Sequence, residues 1–372
     1  MKKTALLFMA ALCAFQAFAL RSGDEAQEPL KVKWLAGAPF RFALPRENKE
    51  NENKLSIAVF LLCRARQTPA AVMMLESLAA RYGKRVNIAL ITPDNASDLE
   101  ALLKVVPVKG ISAGVDEERK LTANFMAGSL LYPMAFVSDS RGRLLWNGEA
   151  VDLGEMVSRF FAGTFDAKAA KKISPLLDEL HTCLRDNDDR KMRKIVSDIL
   201  ALEPGNAAAL RMRLFSLEQR NRKFEAWQLI SGALEKAPGV ARLYFTAVDL
   251  IMGDAALAGQ LEKLLVNFER NISDPESRAL MAYTLCERTS YDLAAAKGAE
   301  KLLANCSREQ FKTHSSLALF YAAKASSAYK LCRLDEACKA QQSCVDEWRA
   351  AGNRSNAAAA AGRLEYFKAI GR

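Results

Sequence analysis

Thiol chemistry is the first chemistry the residue types offer. Seven cysteines follow residue 19: Cys63, Cys183, Cys286, Cys306, Cys332, Cys338 and Cys344. Thiol exchange needs a thiolate stabilised at a helix N-terminus and a second thiol one turn later to release the mixed disulfide. No C-x-x-C occurs in the chain. Cys63 closes the apolar run Leu55 to Leu62. It reads as a small buried hydrophobe finishing a strand. With a following loop two residues shorter, it reads instead as a lone nucleophile whose pKa Arg64 and Arg66 would lower. Cys332, Cys338 and Cys344 recur every six residues, which does not stack them on one helical face. They read as fillers of small positions between helices, or as one bridge to another helix, for instance to Cys306. The two histidines, His181 and His314, have no metal-ligand spacing with another His or Cys. No Gly-rich phosphate loop or nucleophile elbow is present. The sequence therefore predicts no metal and no cofactor.

The elements that must position these residues fall into two blocks. Leu55 to Leu62 is a nearly continuous apolar run after a polar loop at 47–54, which predicts a buried central strand. Pro69 to Tyr82 has apolar residues at helical spacing and stops at Gly83. Val86 to Ile91 predicts a second buried strand, and Ser97 to Val105 a helix. Leu131 to Val137 and Arg143 to Trp146 predict two strands around a turn, closed by a helix over Asp152 to Phe161. The order is β-α-β-α-β-β-α. From Ala167 onward the pattern is helices and short turns.

The N-terminus indicates the compartment. Lys2 and Lys3, the apolar Ala5 to Phe18 and the small residues of Ala17-Phe18-Ala19 form the three-part layout of a secretory signal peptide. Cleavage after Ala19 predicts a periplasmic or secreted chain. Lipoprotein processing at Cys13 is the alternative, on a poor lipobox. Nothing after residue 19 is long and apolar enough to span a bilayer. The formal net charge of +10 comes from 53 basic and 43 acidic residues without any block of the length that marks nucleic-acid binding. Solvated helix faces account for it, and it leaves room for an acidic partner.

The helical block carries a period. Pro204 and Pro238 lie 34 residues apart (238 − 204) in the similar segments Leu202-Glu-Pro-Gly-Asn206 and Lys236-Ala-Pro-Gly239. This resembles the tetratricopeptide repeat. With Pro238 at position 32, position 1 is Ala207, and Ala226, Ile230 and Ala233 take positions 20, 24 and 27. The preceding unit puts Met192, Val196 and Ile199 there. In a last unit Ala337 takes position 20 and Cys344 position 27. The resemblance implies a superhelix with a concave binding face. That face would carry Arg211, Phe215, Glu218 and Gln219 in the best unit, and Ala322, Ser326, Tyr329 and Lys330 in the last.

The first block resembles the exported thioredoxin-like family that includes cytochrome-maturation and TlpA/ResA-type thiol-disulfide oxidoreductases. Trp34-Leu-Ala-Gly-Ala-Pro39, Phe60-Leu-Leu with Leu75-Glu-Ser-Leu-Ala-Ala-Arg-Tyr82, and Tyr132-Pro-Met-Ala-Phe-Val-Ser-Asp139 with Arg141-Gly-Arg-Leu-Leu-Trp146 carry the resemblance. It implies that Ala65-Arg66-Gln67-Thr68 stands on the C-x-x-C positions, with Ala65 for the nucleophile and Thr68 for the resolving cysteine. It also implies a cis-proline at Pro133, so that Arg66, Gln67, Tyr132 and Pro133 would form a binding face.

The domain plan is therefore a signal peptide at 1–19 and a lead-in with N-terminal strand and loop at 20–54. A thioredoxin-like core follows at 55–165, and tetratricopeptide-like helices at 166–372. The functional expectation is an exported protein-binding or scaffold protein with a redox-inactive α/β domain and a protein or peptide partner. A single-cysteine thiol oxidoreductase or peroxidase using Cys63 is the alternative.

Overall fold

The computed structural model describes residues 20–45, 47–106, 108–126, 132–288 and 293–370. The predicted signal peptide lies outside the described residues. The first block forms a six-stranded mixed sheet in the order β1-β4-β3-β2-β5-β6. Its strands are β1 (Lys33–Ala36), β2 (Leu55–Phe60), β3 (Val86–Thr92), β4 (Ser112–Val115), β5 (Met134–Ser138) and β6 (Leu144–Glu149). β2, β3 and β4 run parallel; β1, β5 and β6 pair antiparallel to their neighbours. The helices of this block are α1 (Thr68–Tyr82), α2 (Ala96–Val105), α3 (Lys120–Met126) and α4 (Leu153–Phe161).

Alternation along the strands splits the core in two. Leu55, Ile57 and Val59 pack with Val72, Leu75 and Leu78 of α1, Leu99 of α2 and Leu153 and Val157 of α4. Ala58 and Phe60 face the other way, into a cluster with Phe40, Phe42, Phe125 and Phe136. Burial on both faces explains why β2 reads as a continuous apolar run rather than an alternating one.

β4 and α3 have no counterpart in the sequence reading. β4 is only Ser-Ala-Gly-Val, without the bulky run that signals a strand. Close packing demands that smallness: a Cβ on Gly114 would lie 2.4 Å from Val32 Cγ1 and 2.8 Å from Trp34 Cε3.

The second block is helical from Ala167. It contains α5 (Ala167–Arg185), α6 (Asp189–Leu202), α7 (Ala207–Gln219), α8 (Lys223–Lys236), α9 (Ala241–Met252), α10 (Leu261–Asn271), α11 (Pro275–Arg288), α12 (Leu293–Ala304), α13 (His314–Lys330), α14 (Leu334–Ala350) and α15 (Arg354–Ile370). The odd-numbered helices are the first members of successive pairs. α7, α9 and α11 begin at steps of 34 residues (241 − 207 and 275 − 241). Ala226, Ile230 and Ala233 are all buried, as are Met192, Val196, Ile199, Ala337 and Cys344.

Asn187, Asn221 and Cys332 each adopt a left-handed conformation, with φ of 57, 54 and 59°. Each follows the first helix of a pair. The amide one residue on returns to a carbonyl five residues back: Asp188 to Cys183, Arg222 to Leu217 and Arg333 to Ala328. This is the Schellman closure, which satisfies carbonyls that a helix end leaves unpaired. Cys332 is therefore an exposed turn residue and not the packing filler expected from its spacing.

Candidate functional site

The junction between β2 and α1 is where the first block would present a reactive group. β2 ends at Phe60, and the chain turns through residues 61–67 before α1 starts. Two turn bonds shape this loop, from the Ala65 amide to the Leu62 carbonyl and from the Thr68 amide to the Ala65 carbonyl. Gln67 caps α1 without a side-chain hydrogen bond, and Pro69 sits in the first turn where a missing N–H costs nothing.

Thr68 is fully buried, and its hydroxyl donates to the Leu62 carbonyl at 2.6 Å. It pins the loop. Ala65 is half-buried, while Arg66 and Gln67 are exposed. No thiol stands at the start of α1.

Cys63 is held inside the junction. Its residue is 8% exposed. Its thiol lies 3.6 Å from Thr92 Oγ1 and donates to it, while its amide donates to Asp94 Oδ2 at 2.6 Å. The Asp94 amide in turn donates to Thr92 Oγ1. Burial pushes the Cys63 thiol up to about 11; the Thr92 contact opposes this weakly and the Asp94 charge adds to it. The Arg64 guanidinium is largely exposed and pairs with Asp98 at 2.7 Å, so its charge does not offset the effect of burial. Cys63 therefore shows neither the exposure nor the lowered pKa of an activated thiolate.

Pro133 follows a cis peptide bond from Tyr132 and leads into β5. Its carbonyl is already occupied by the Ala150 amide at 3.0 Å. Tyr132 is half-buried, and burial raises its phenol, with the Asp94 charge adding to the effect. Asp94 is therefore common to Cys63, Arg64 and Tyr132. Asp94, in the turn just beyond the strand at Val86 to Ile91, has no role in the sequence reading. The acceptor side chain in that turn was the available signal.

The residues assigned to a concave face are divided. Arg211 is not open to a ligand. It grips Asp152 through two bonds of 2.7 and 2.8 Å and Glu149 at 2.9 Å, all within the first block. Burial opposes its charge, but the two carboxylates outweigh that, and the guanidinium pKa is raised. Phe215, Glu218 and Gln219 on the same helix are exposed, Phe215 at 51%. Tyr329 stacks on Phe367 of α15 with centroids 4.7 Å apart, and its hydroxyl meets that of Tyr366. Lys330 is half-buried beside it. Among the described residues no group of three His, Cys, Asp or Glu is arranged to hold a metal ion, and no helix is long and apolar enough to cross a membrane.

Strand order, the parallel β2-α1-β3-α2-β4 half and the β5-β6 hairpin define a thioredoxin-like α/β domain with a mixed sheet, followed by a helical region. Among solved structures, the chain is similar to a putative thiol:disulfide interchange protein DsbE from Chlorobium tepidum. Identity is 14% with a TM-score of 0.30, over 40% of this chain and 100% of that one. It is also similar to a putative thioredoxin from Neisseria meningitidis, at 15% identity and a TM-score of 0.30, over 37% of this chain and 92% of that one. No protein-family model and no curated protein matches the chain.

Proposed function

We propose that this chain is an exported binding or scaffold protein, not a catalyst of thiol exchange. In this reading residues 1–19 are a signal peptide, 20–54 the lead-in, 55–165 a redox-silent thioredoxin-like core and 166–372 a tetratricopeptide-like solenoid. The observation that carries it is the β2–α1 junction. The position that needs a thiolate holds Ala65, the resolving position holds a buried Thr68 bonded to Leu62, and the nearby sulfur is neutral and enclosed.

Two further observations support the repeat. The first helices α7, α9 and α11 start at 34-residue intervals, and the left-handed residues Asn187, Asn221 and Cys332 all fall on position 15 when units begin at 173, 207 and 318. The partner this reading calls for is a protein or peptide, with neither nucleic acid nor a cofactor involved. Its contact surface includes Arg66 and Gln67 in the loop between β2 and α1 and the exposed Phe215, Glu218 and Gln219.

Insulin-disulfide reduction by dithiothreitol tests the silent site. The purified chain should give no acceleration, and Cys63→Ser should change nothing. The double variant Ala65→Cys with Thr68→Cys should gain exchange, since the Thr68 amide to Ala65 carbonyl bond closes the same four-residue turn as a C-x-x-C. Acceleration by the unaltered chain that disappears in Cys63→Ser would overturn the reading.

A further inference from the structure

The thioredoxin-like domain lies against the helical region through a set of contacts that follow a register. On α1, Arg81 reaches Asp274 at 2.7 Å and Glu276 at 3.3 Å, and Ser77 donates to the Glu276 carboxylate at 2.7 and 2.8 Å. One step back along α1, Glu76 accepts from Ser315 at the start of α13. One turn further back, Asn356 at the start of α15 approaches Met73 Sδ at 3.9 Å. Moving from the C-terminal to the N-terminal part of α1 thus advances from α11 to α13 to α15. Each contact comes from the first helix of a pair or from the turn that leads into it. At the other end of the domain, Arg211 of α7 holds Asp152 and Glu149, and Glu203 before α7 pairs with Arg159 of α4.

The composition of α1 agrees with this burial. A helix that covers a sheet and faces water should be charged on its outer side. α1 reads TPAAVMMLESLAARY, with Glu76 and Arg81 as its only charged residues. Val72, Leu75 and Leu78 face the sheet, Met73, Met74 and Ala79 pack at the margin of the same core, and Met73 also meets Asn356 of the helical region. Ala70 and Ala80 stay exposed, so the enclosure is partial, and both charges of the helix are engaged with the helical region.

We propose that the layer of first helices already has its ligand in this chain: α1 occupies it in cis, and the protein is self-closed. A helical partner that docks on the N-terminal ends of these helices must displace α1, whereas the exposed Phe215, Glu218 and Gln219 further along α7 stay accessible in the closed form. This deepens the binding reading and rests on it for the role of the helix layer. The closure itself is measured without any partner.

The test uses the complete chain, solution X-ray scattering and thermolysin cleavage near Phe165 in the connection between α4 and α5. The variants are Arg81→Glu combined with Arg211→Glu, and the charge swap of Arg81→Glu with Glu276→Arg. Wild type should scatter as the compact closed form. The double reversal should increase the radius of gyration and speed cleavage by about tenfold, the effect of losing charge-assisted contacts worth about 1.4 kcal/mol or more. Its helical circular dichroism should be unchanged. The charge swap restores the Arg–Glu pair in reverse while Asp274 remains beside position 81, and should cleave at a rate between those of wild type and the double reversal. An extended wild type, or a double reversal that stays as compact and resistant as wild type, overturns the closure. Either result leaves the silent-site reading untouched, because that reading is tested by thiol chemistry and not by domain closure.

Discussion

The junction of β2 with α1 and the inner layer of the helical region both present side chains on a rigid frame, and they have used that capacity in opposite ways. At the junction the loop turns, the helix start and the proline before β5 are in place, while the helix start carries no thiol. Thr68 spends its hydroxyl on Leu62, and Cys63 spends its thiol on Thr92. In the helical layer the side chains are active binders, and what they bind is the neighbouring domain. Arg211 is the clearest case, with Asp152 and Glu149 both in its fork.

The sharpest way to break that contrast is through the repeat core. Ile230 is fully buried between helix pairs, so Ile230→Ala should cost about 3 kcal/mol from lost contacts and the cavity left behind. Urea unfolding measures it; a loss well below 1 kcal/mol would mean that the second helices are loosely packed. Arg211→Ala comes next. It leaves Asp152, which is mostly buried, without its guanidinium, at a cost of about 2 kcal/mol, below the full figure for a deeply buried pair because Glu149 remains accessible to water. Thr68→Val should lose about 1 kcal/mol, the usual worth of one hydroxyl-to-carbonyl bond, with no change in thiol reactivity elsewhere. Cys332→Gly acts in the other direction. It relieves a left-handed position without removing a buried group and should stabilise by about 0.5 kcal/mol.

Cys63 adds a pH dependence of known sign. Its folded thiol titrates near 11, above its unfolded value of about 9. Below 9 both states hold the proton and stability does not vary on its account. Between 9 and 11 the unfolded chain releases the proton first, so stability falls as pH rises through that window.

Much of this architecture was legible in the residues. Long apolar runs located β2 and β3, and the spacing of Leu75, Leu78 and Tyr82 located α1. The Pro204 to Pro238 interval gave the helix-pair step, because proline and the small residues Ala226 and Ala233 are tied to backbone approach rather than to function. β4 stayed hidden because its packing against Trp34 requires small residues that carry no strand signal. Asp94 stayed hidden because its importance lies in a bond to an amide 31 residues earlier. Arg211 was legible as a residue on the inner layer. Its partner was not, since spacing within a helix cannot reveal which domain folds onto it.

The most direct test of the silent junction is the alkylation of the folded chain with iodoacetamide at pH 6, read cysteine by cysteine by mass spectrometry. A thiol near 11 carries about a hundredfold less thiolate than an ordinary cysteine near 9. The account predicts that exposed Cys332 is modified while Cys63 stays unmodified until the protein is unfolded. Selective modification of Cys63 ahead of Cys332 would contradict it.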